Sequence, residues 1–376
     1  MNDYLLKLDR FYMKHKKNGK HGKNEKNNYN YKQNNYERWQ STHIVESVPH
    51  CHGVSPDEHI VIDANVQNIA DLLDIVQNHP YQNNKTYNIN LKALHSIKKE
   101  LHEINNMIGM ESIKTSILDQ LLYFLQNLHM IGDKKNGSSD YKHTVIYGPP
   151  GTGKTHMAQL MGQMYTKIGI LKRNIFKKVT RSDLVAGYLG QTALKTTDVI
   201  KSCLGGCLFI DEAYSLGSDD LDSFSKECVD TLCECLSRHK NDLMVIIAGY
   251  EDELEKHFFN SNKGLRSRFI WKFTIDPYSA SDLCRIMEKM VSDIEWKLED
   301  DSIHTKWFET KLKEFSHYGR DIEFLLSYVK ICHSRRIFGT EPSLKKRLSL
   351  HDINAGFDMF VQHKKQKQEK IPHFYI

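Results

Sequence analysis

The chain has 376 residues, 40% hydrophobic and 26% charged, enough for two or three domains with packed cores. No run approaches the roughly 18–20 apolar residues of a membrane span, which excludes an integral helical membrane protein. The net charge of +5 sits in the head: residues 1–40 carry ten Lys/Arg against four acids, whereas residues 41–376 carry 42 against 43 and have no excess with which to grip nucleic acid.

The stretch 1–40 is rich in Lys and Asn and, from residue 11, almost free of aliphatic side chains. It cannot offset its ordering entropy by burial, and it reads as a disordered basic segment. It lacks the apolar core of a secretory signal, and none of the eight cysteines forms a CxxC pair. A cytoplasmic, reducing location with free thiols follows. His50-Cys51-His52 offers metal-type atoms, but adjacent residues cannot readily enclose one ion.

Residues 41–100 predict a small N-terminal region of unknown role. A strand is expected at 59–63, then a helix on the spacing of Val66, Ile69, Ala70, Leu73 and Val76, and a second, charged helix over 91–104. Residues 101–276 read as a nucleotide-binding α/β domain. Strands are expected at 143–147, 174–179, 207–210 and 244–248, with helices at 155–166 and 193–203. The last two strands are near-continuous apolar runs, as in a parallel sheet covered on both faces. After Pro277 the β signal disappears. Segments 281–292, 304–315, 321–335 and 350–361 have helical spacing, giving a small helical domain over 277–362 and a basic tail at 363–376. Cys233 and Cys235, two apart on a helix, face different sides and favour neither a disulfide nor a zinc pair.

Gly148-Pro149-Pro150-Gly151-Thr152-Gly153-Lys154-Thr155 matches G-x-x-x-x-G-K-[ST] between a strand and a helix, the context a phosphate-binding loop requires. Backbone N–H groups and the helix N-terminus there suit phosphate, Lys154 reaches the β- and γ-phosphates of ATP, and the Thr155 hydroxyl takes Mg2+. The apolar strand Leu208-Phe209-Ile210 ends in Asp211-Glu212. Asp211 is suited to the outer shell of Mg2+ and Glu212 to orienting and deprotonating the attacking water.

With these two boxes, the sequence resembles an AAA+ ATPase, and more closely the CbbX/SpoVK branch of red-type Rubisco activases and stage V sporulation protein K. The likeness covers roughly 100–360 and rests further on the run Thr180 to Ala193, Gly205-Gly206, Ala213-Tyr214, Ala248-Gly249-Tyr250 and Gly264-Leu265-Arg266-Ser267-Arg268-Phe269. The resemblance implies a P-loop α/β domain with a parallel sheet between helices, a helical lid, and a homo-hexameric ring acting on a protein substrate. It implies that Ile108-Gly109-Met110 lines the adenine pocket. Arg268, with Arg266 as runner-up, would be the finger reaching a neighbour's γ-phosphate; either arginine could instead make an interface salt bridge. Arg320 would be the lid arginine that contacts phosphate from the same chain. Tyr188-Leu189 would be the pore loop, the alternative being a tyrosine buried under a strand-to-helix connection. Many AAA+ proteins place Asn or Thr where Gly249-Tyr250 stands, so sensor 1 is unassigned, with Tyr250 a candidate and core packing its alternative.

The leading expectation is therefore an ATP-hydrolysing machine that remodels proteins through a ring pore. A DNA-acting AAA+ motor and an ATP-gated scaffold with little turnover stand as alternatives. Nucleic acid would be reached only through the basic head, and nothing outside the shared core points to a particular client.

Overall fold

The structure is a computed structural model that describes residues 58–130, 140–188, 190–217, 222–299 and 303–369. The basic head, the His50-Cys51-His52 triplet, Leu189 and residues 370–376 lie outside the described residues. In the first described segment, strand β1 (Glu58–Ile60) pairs in parallel with β2 (Lys85–Tyr87). The strand expected at 59–63 stops at Ile60. Beyond it the Asn88 amide takes over the backbone, accepting from the Ile62 N–H (2.8 Å) and donating to the Ile62 carbonyl (3.0 Å). Helix α1 (Ile69–Asn78) starts at a reciprocal capping box between Asn68 and Asp71.

The single helix expected over 91–104 is two, α2 (Leu91–Ser96) and α3 (Lys98–Asn105). At the break, the Ile97 N–H turns back to the Leu94 carbonyl (3.2 Å) and the Ser96 hydroxyl takes that of Ala93 (2.6 Å). The kink puts Ile97, Leu101 and Ile104 into the same fully buried core. Each such side chain contributes about 1.5–3 kcal/mol, more than the broken helix costs. Glu100, almost wholly buried, pairs with Lys167 at 2.7 and 2.9 Å and ties α3 to the α/β body.

Helix α4 (Glu111–Leu125) precedes β3 (Thr144–Tyr147), α5 (Lys154–Lys167), β4 (Phe176–Val179), α6 (Thr192–Ser202), β5 (Cys207–Ile210), α7 (Ser223–Arg238), β6 (Met244–Gly249) and β7 (Trp271–Thr274). The five strands β3–β7 are parallel, in the order β4-β5-β6-β3-β7. Every residue of β3, β5 and β6 is buried. Alternation along them feeds two cores. Ile146, Phe209, Ile246 and Ala248 face the core shared with α3, α4 and α5, and Val145, Leu208, Ile210 and Val245 face the one beneath α6 and α7. The order reverses at β3, so the carboxyl ends of β3, β5 and β6 open a crevice where ligands of such sheets bind.

The remaining chain is mostly helical: α8 (Ala280–Asp293), α9 (Thr305–Glu309), α10 (Gly319–Arg336) and α11 (Leu350–Glu369). Two expectations need correction. A β signal does persist after Pro277, because β8 (Lys297–Leu298) pairs in parallel with β9 (Arg347–Leu348); two residues are too few to leave an alternation pattern. The helix expected over 304–315 ends at Glu309, and a 3-10 turn follows at Leu312–Glu314. The Thr310 hydroxyl bonds back to the Trp307 carbonyl (2.9 Å), while the tilted rings of Phe308 and Phe315 meet in the core, 5.4 Å between centres. Between α10 and α11, Asp352 is fully buried. It accepts from Arg336 Nε and Nη2 (2.9 and 2.8 Å) and from the Ser349 N–H (3.0 Å), and lies 3.0 Å from Nδ1 of the buried His333. No helix among the described residues is long and apolar enough to cross a membrane.

Candidate active site

The loop leaving β3 turns sharply at Gly151, whose φ is +77°, a region that disfavours side chains. A Cβ there would also stand 2.3 Å from the His317 carbonyl oxygen and 2.9 Å from the Arg320 backbone nitrogen. Only glycine lets the start of α10 seat on the loop. The Thr152 hydroxyl donates to the Pro149 carbonyl (2.8 Å) and braces the turn. Helix α5 begins at Lys154 with no side-chain cap, so its first N–H groups face the crevice, as anion binding needs. The Lys154 ammonium donates to the carbonyls of Gly148 (2.8 Å) and Pro149 (2.7 Å). Burial pushes its pKa below the ordinary lysine value. Asp211 and Glu212 oppose that shift, and Arg320 and Lys178 add to it.

Asp211 and Glu212 follow β5 directly. Glu212 has φ +50° and ψ +47°, a left-handed conformation that few residues other than glycine adopt. Held strain of this kind concentrates where a side chain must be aimed. Asp211 Oδ2 lies 2.7 Å from Lys178 Nζ, which is also 3.4 Å from Thr155 Oγ1. One carboxylate and one hydroxyl thus converge on a single cation position, already taken by an ammonium. Two hard oxygens with room for phosphate and water are what Mg2+ accepts. Among the described residues no cluster of three or more His, Cys, Asp or Glu could hold a metal instead. Lys154, Thr155, Asp211, Glu212, Tyr250 and Arg320 all line one cleft of about 320 Å3. Tyr250 is 41% exposed, its ring 6.4 Å from that of Tyr214.

A larger cavity of about 750 Å3 continues from Gly151–Gly153, lined by Met107, Ile108, Tyr278, Met290 and Arg320. Its apolar part, Met107, Ile108, Ile286 and Met290, suits a planar base, and the Tyr278 hydroxyl donates to the Thr152 carbonyl (3.3 Å), joining wall to loop. Neighbouring Gly109 has φ +65° and turns the chain into α4. Arg320 lines both cavities. Its helix start is held by Asp321, which accepts from the His317 N–H (2.8 Å) and lies 3.4 Å from Lys364 Nζ. Tyr318, just before it, has φ +44° and ψ −112°, a second strained residue at the cleft.

The other expected site residues lie elsewhere. Arg268 Nε donates to the Ser237 hydroxyl (2.7 Å) and its Nη1 to the Gly264 carbonyl (2.6 Å). Arg266 pairs with Glu255 and lies over the Phe259 ring. Neither arginine lines the chain's own cleft. Tyr188 is 73% exposed, and open space surrounds its neighbours Gly187 and Gly190, so this tyrosine is not buried under the connection. Cys233 and Cys235 are buried free thiols of α7.

Lys178 and Tyr278 belong to the site but carry no motif. Lys178 sits in a strand reading Phe176-Lys177-Lys178-Val179, and its partner Asp211 comes 33 residues later. Only the parallel register, Val179 beside Ile210, brings them together.

The family model described as "ATPase family associated with various cellular activities (AAA)" matches residues 144–270. The chain is 36% identical over 336 residues to the cfxQ-like protein R730 of Acanthamoeba polyphaga mimivirus, covering 85% of this chain and 81% of that one. It is 35% identical over 225 residues to stage V sporulation protein K of Bacillus subtilis, covering 60% and 68%. With the chloroplastic ribulose bisphosphate carboxylase/oxygenase activase of Cyanidioschyzon merolae it shares 30% identity over 254 residues, covering 66% and 86%.

Proposed function

The chain belongs to the CbbX/SpoVK branch of the AAA+ ATPases and is an ATPase, and from that premise we propose that it forms a ring of identical subunits that uses ATP hydrolysis to pull or release a polypeptide through its pore. The substrate is ATP with Mg2+. Ile108 and Gly109 border the base. The loop from Gly148 to Thr155 wraps the phosphates, and Lys154 exchanges its two carbonyl partners for phosphate oxygens. Thr155 and Asp211 would hold Mg2+, which when bound would spread the negative charge of the phosphate tail. Glu212, aimed by its left-handed backbone, orients the attacking water and takes its proton. Arg320 contacts phosphate from the lid side, so the seat of α10 on Gly151 follows the state of the nucleotide. Arg268, directed away from its own cleft, serves the neighbouring subunit by countering charge on the γ-phosphate. The division into a nucleotide domain at 101–276 and a lid at 277–362 belongs to the same proposal, as does a reducing intracellular location, supported by the free thiols of the seven described cysteines.

The observation that carries the reading is the exposed Tyr188 on a glycine-flanked loop of a chain that also holds the nucleotide cleft. An aromatic ring there grips an extended chain by apolar contact without reading its sequence. Tyr188→Ala is expected to keep basal ATP turnover within about twofold, because the residue is outside the cleft, and to lose the stimulation that an unfolded polypeptide such as casein produces. Phosphate release with and without casein measures both. Equal stimulation of the variant and the wild type would contradict the pore-loop role.

A further inference from the structure

We propose that Lys178 is a resident counter-ion of the catalytic cleft, standing at the metal position until Mg2+ displaces it and serving as the cation for nucleotide that arrives without metal. The proposal rests on the reading of Thr155, directly, and Asp211, from the outer shell, as the residues that hold Mg2+.

Asp211 is only 21% exposed and has to be neutralised whether or not nucleotide is bound. Lys154, the nearest motif lysine, acts on Asp211 only from a distance, because its ammonium is held by the Gly148 and Pro149 carbonyls. Arg320 is on the lid side. The neutralising charge is Lys178, 2.7 Å from the carboxylate and 3.4 Å from the Thr155 hydroxyl, the two groups between which a divalent cation and its water would sit. A divalent ion there and an ammonium a few ångströms away repel strongly in a partly desolvated cleft, so the two occupy it in turn. The geometry permits the exchange. The Lys178 side chain is 46% exposed, its ammonium lies 5.9 Å from the centre of the Phe209 ring, and on a flexible four-carbon stem it can swing toward the phosphates or solvent without moving β4. Its strand fixes where it starts, since β4 is registered on β5 one residue before the carboxylates.

Two consequences follow. Lys178 lowers the apparent affinity of the site for Mg2+, because the ion must evict a paired ammonium. It raises the affinity for metal-free ATP, because a third cation joins Lys154 and Arg320 around the phosphate tail.

The test is ATP binding to the full chain by calorimetry, in excess Mg2+ and in excess EDTA, for wild type, Lys178→Met, Lys178→Arg and Asp211→Asn. Lys178→Met is expected to bind ATP about tenfold more weakly in EDTA, to bind at least as tightly as wild type in Mg2+, and to need severalfold less Mg2+ for half-saturation. Lys178→Arg, which keeps a cation, should behave as wild type in EDTA and thereby show that the loss in Lys178→Met is of charge and not of folding. If Lys178→Met changes both affinities by the same factor, or neither, the counter-ion role is overturned while the metal site stands. If Asp211→Asn leaves the Mg2+ dependence of binding intact, the metal assignment itself is wrong, and this proposal falls with it.

Discussion

Glu212→Gln is expected to cut ATP turnover by at least about 100-fold while ATP affinity stays within a few-fold of wild type. Glutamine keeps the length and shape of the side chain, so its hydrogen bond can still hold a water. It cannot accept a proton, and the step that needs a base loses its acceptor. Binding persists because, in the proposed mechanism, the Glu212 carboxylate does not hold the phosphate tail, a task given to the Gly148–Thr155 backbone, Lys154 and Arg320. Removing a negative charge from the cleft even favours the polyanion slightly. Glu212→Ala is a poorer test, since shortening a residue held at φ +50° changes packing and chemistry together. Phosphate release and calorimetric binding on the same sample measure the two effects. A loss of less than tenfold would favour an ATP-gated scaffold, in which the glutamate does no chemistry.

Asp352→Ala is expected to destabilise the helical region by about 3–5 kcal/mol, the range for removing one partner from a buried charged cluster. The carboxylate joins three residues through four contacts: Arg336 through both oxygens, the Ser349 N–H at the start of α11, and His333. Without it, Arg336 loses its fork partner, and the buried His333 keeps the Lys345 carbonyl, 3.1 Å from Nε2, and Arg336 Nη2, 3.3 Å from Nδ1. Burial pushes the Asp352 carboxyl up, but Arg336, the Ser349 N–H and His333 outweigh it and hold its pKa well below the usual carboxylate range. The folded pKa is therefore depressed. The contribution is present above the unfolded value of about 4 and is lost only as pH falls through the lower folded value, so the penalty should be flat across neutral pH. Denaturant titration, with hydrogen exchange along α10 and α11, reads it. A loss below about 1 kcal/mol would mean that the cluster is dispensable.

Part of this structure is legible in the sequence because its causes are local. The P-loop is eight adjacent residues whose glycines have one purpose, and β5 and β6 are apolar on both faces because helices cover both faces. What escapes the sequence depends on partners far along the chain. The turn His317–Arg320 carries no sign that it will seat on Gly151, and Tyr278 none that its hydroxyl will meet Thr152, 126 residues away. Lys178 reads as one more charged residue of an edge strand until the register beside β5 gives it a carboxylate. The break at Ile97 is set by what that side chain buries against, and helical spacing on either side runs straight through it. Helix α4 was within reach, since Ile113, Ile117, Leu121 and Phe124 recur at its period and are all buried, yet no motif draws attention to it.

The central claim is that every site is completed by an arginine from the next subunit, so the ring is the enzyme. Mixing two inactive variants tests it most directly. Arg268→Ala subunits keep an intact cleft and Glu212→Gln subunits keep an intact Arg268, so neither hydrolyses well alone, but a cleft of the first beside an arginine of the second is whole. In an equal mixture with random assembly, about a quarter of the interfaces are of that kind, and ATP turnover should rise toward that fraction of wild type. Turnover that stays at the average of the two parents, in rings verified by size to contain both, would contradict the claim.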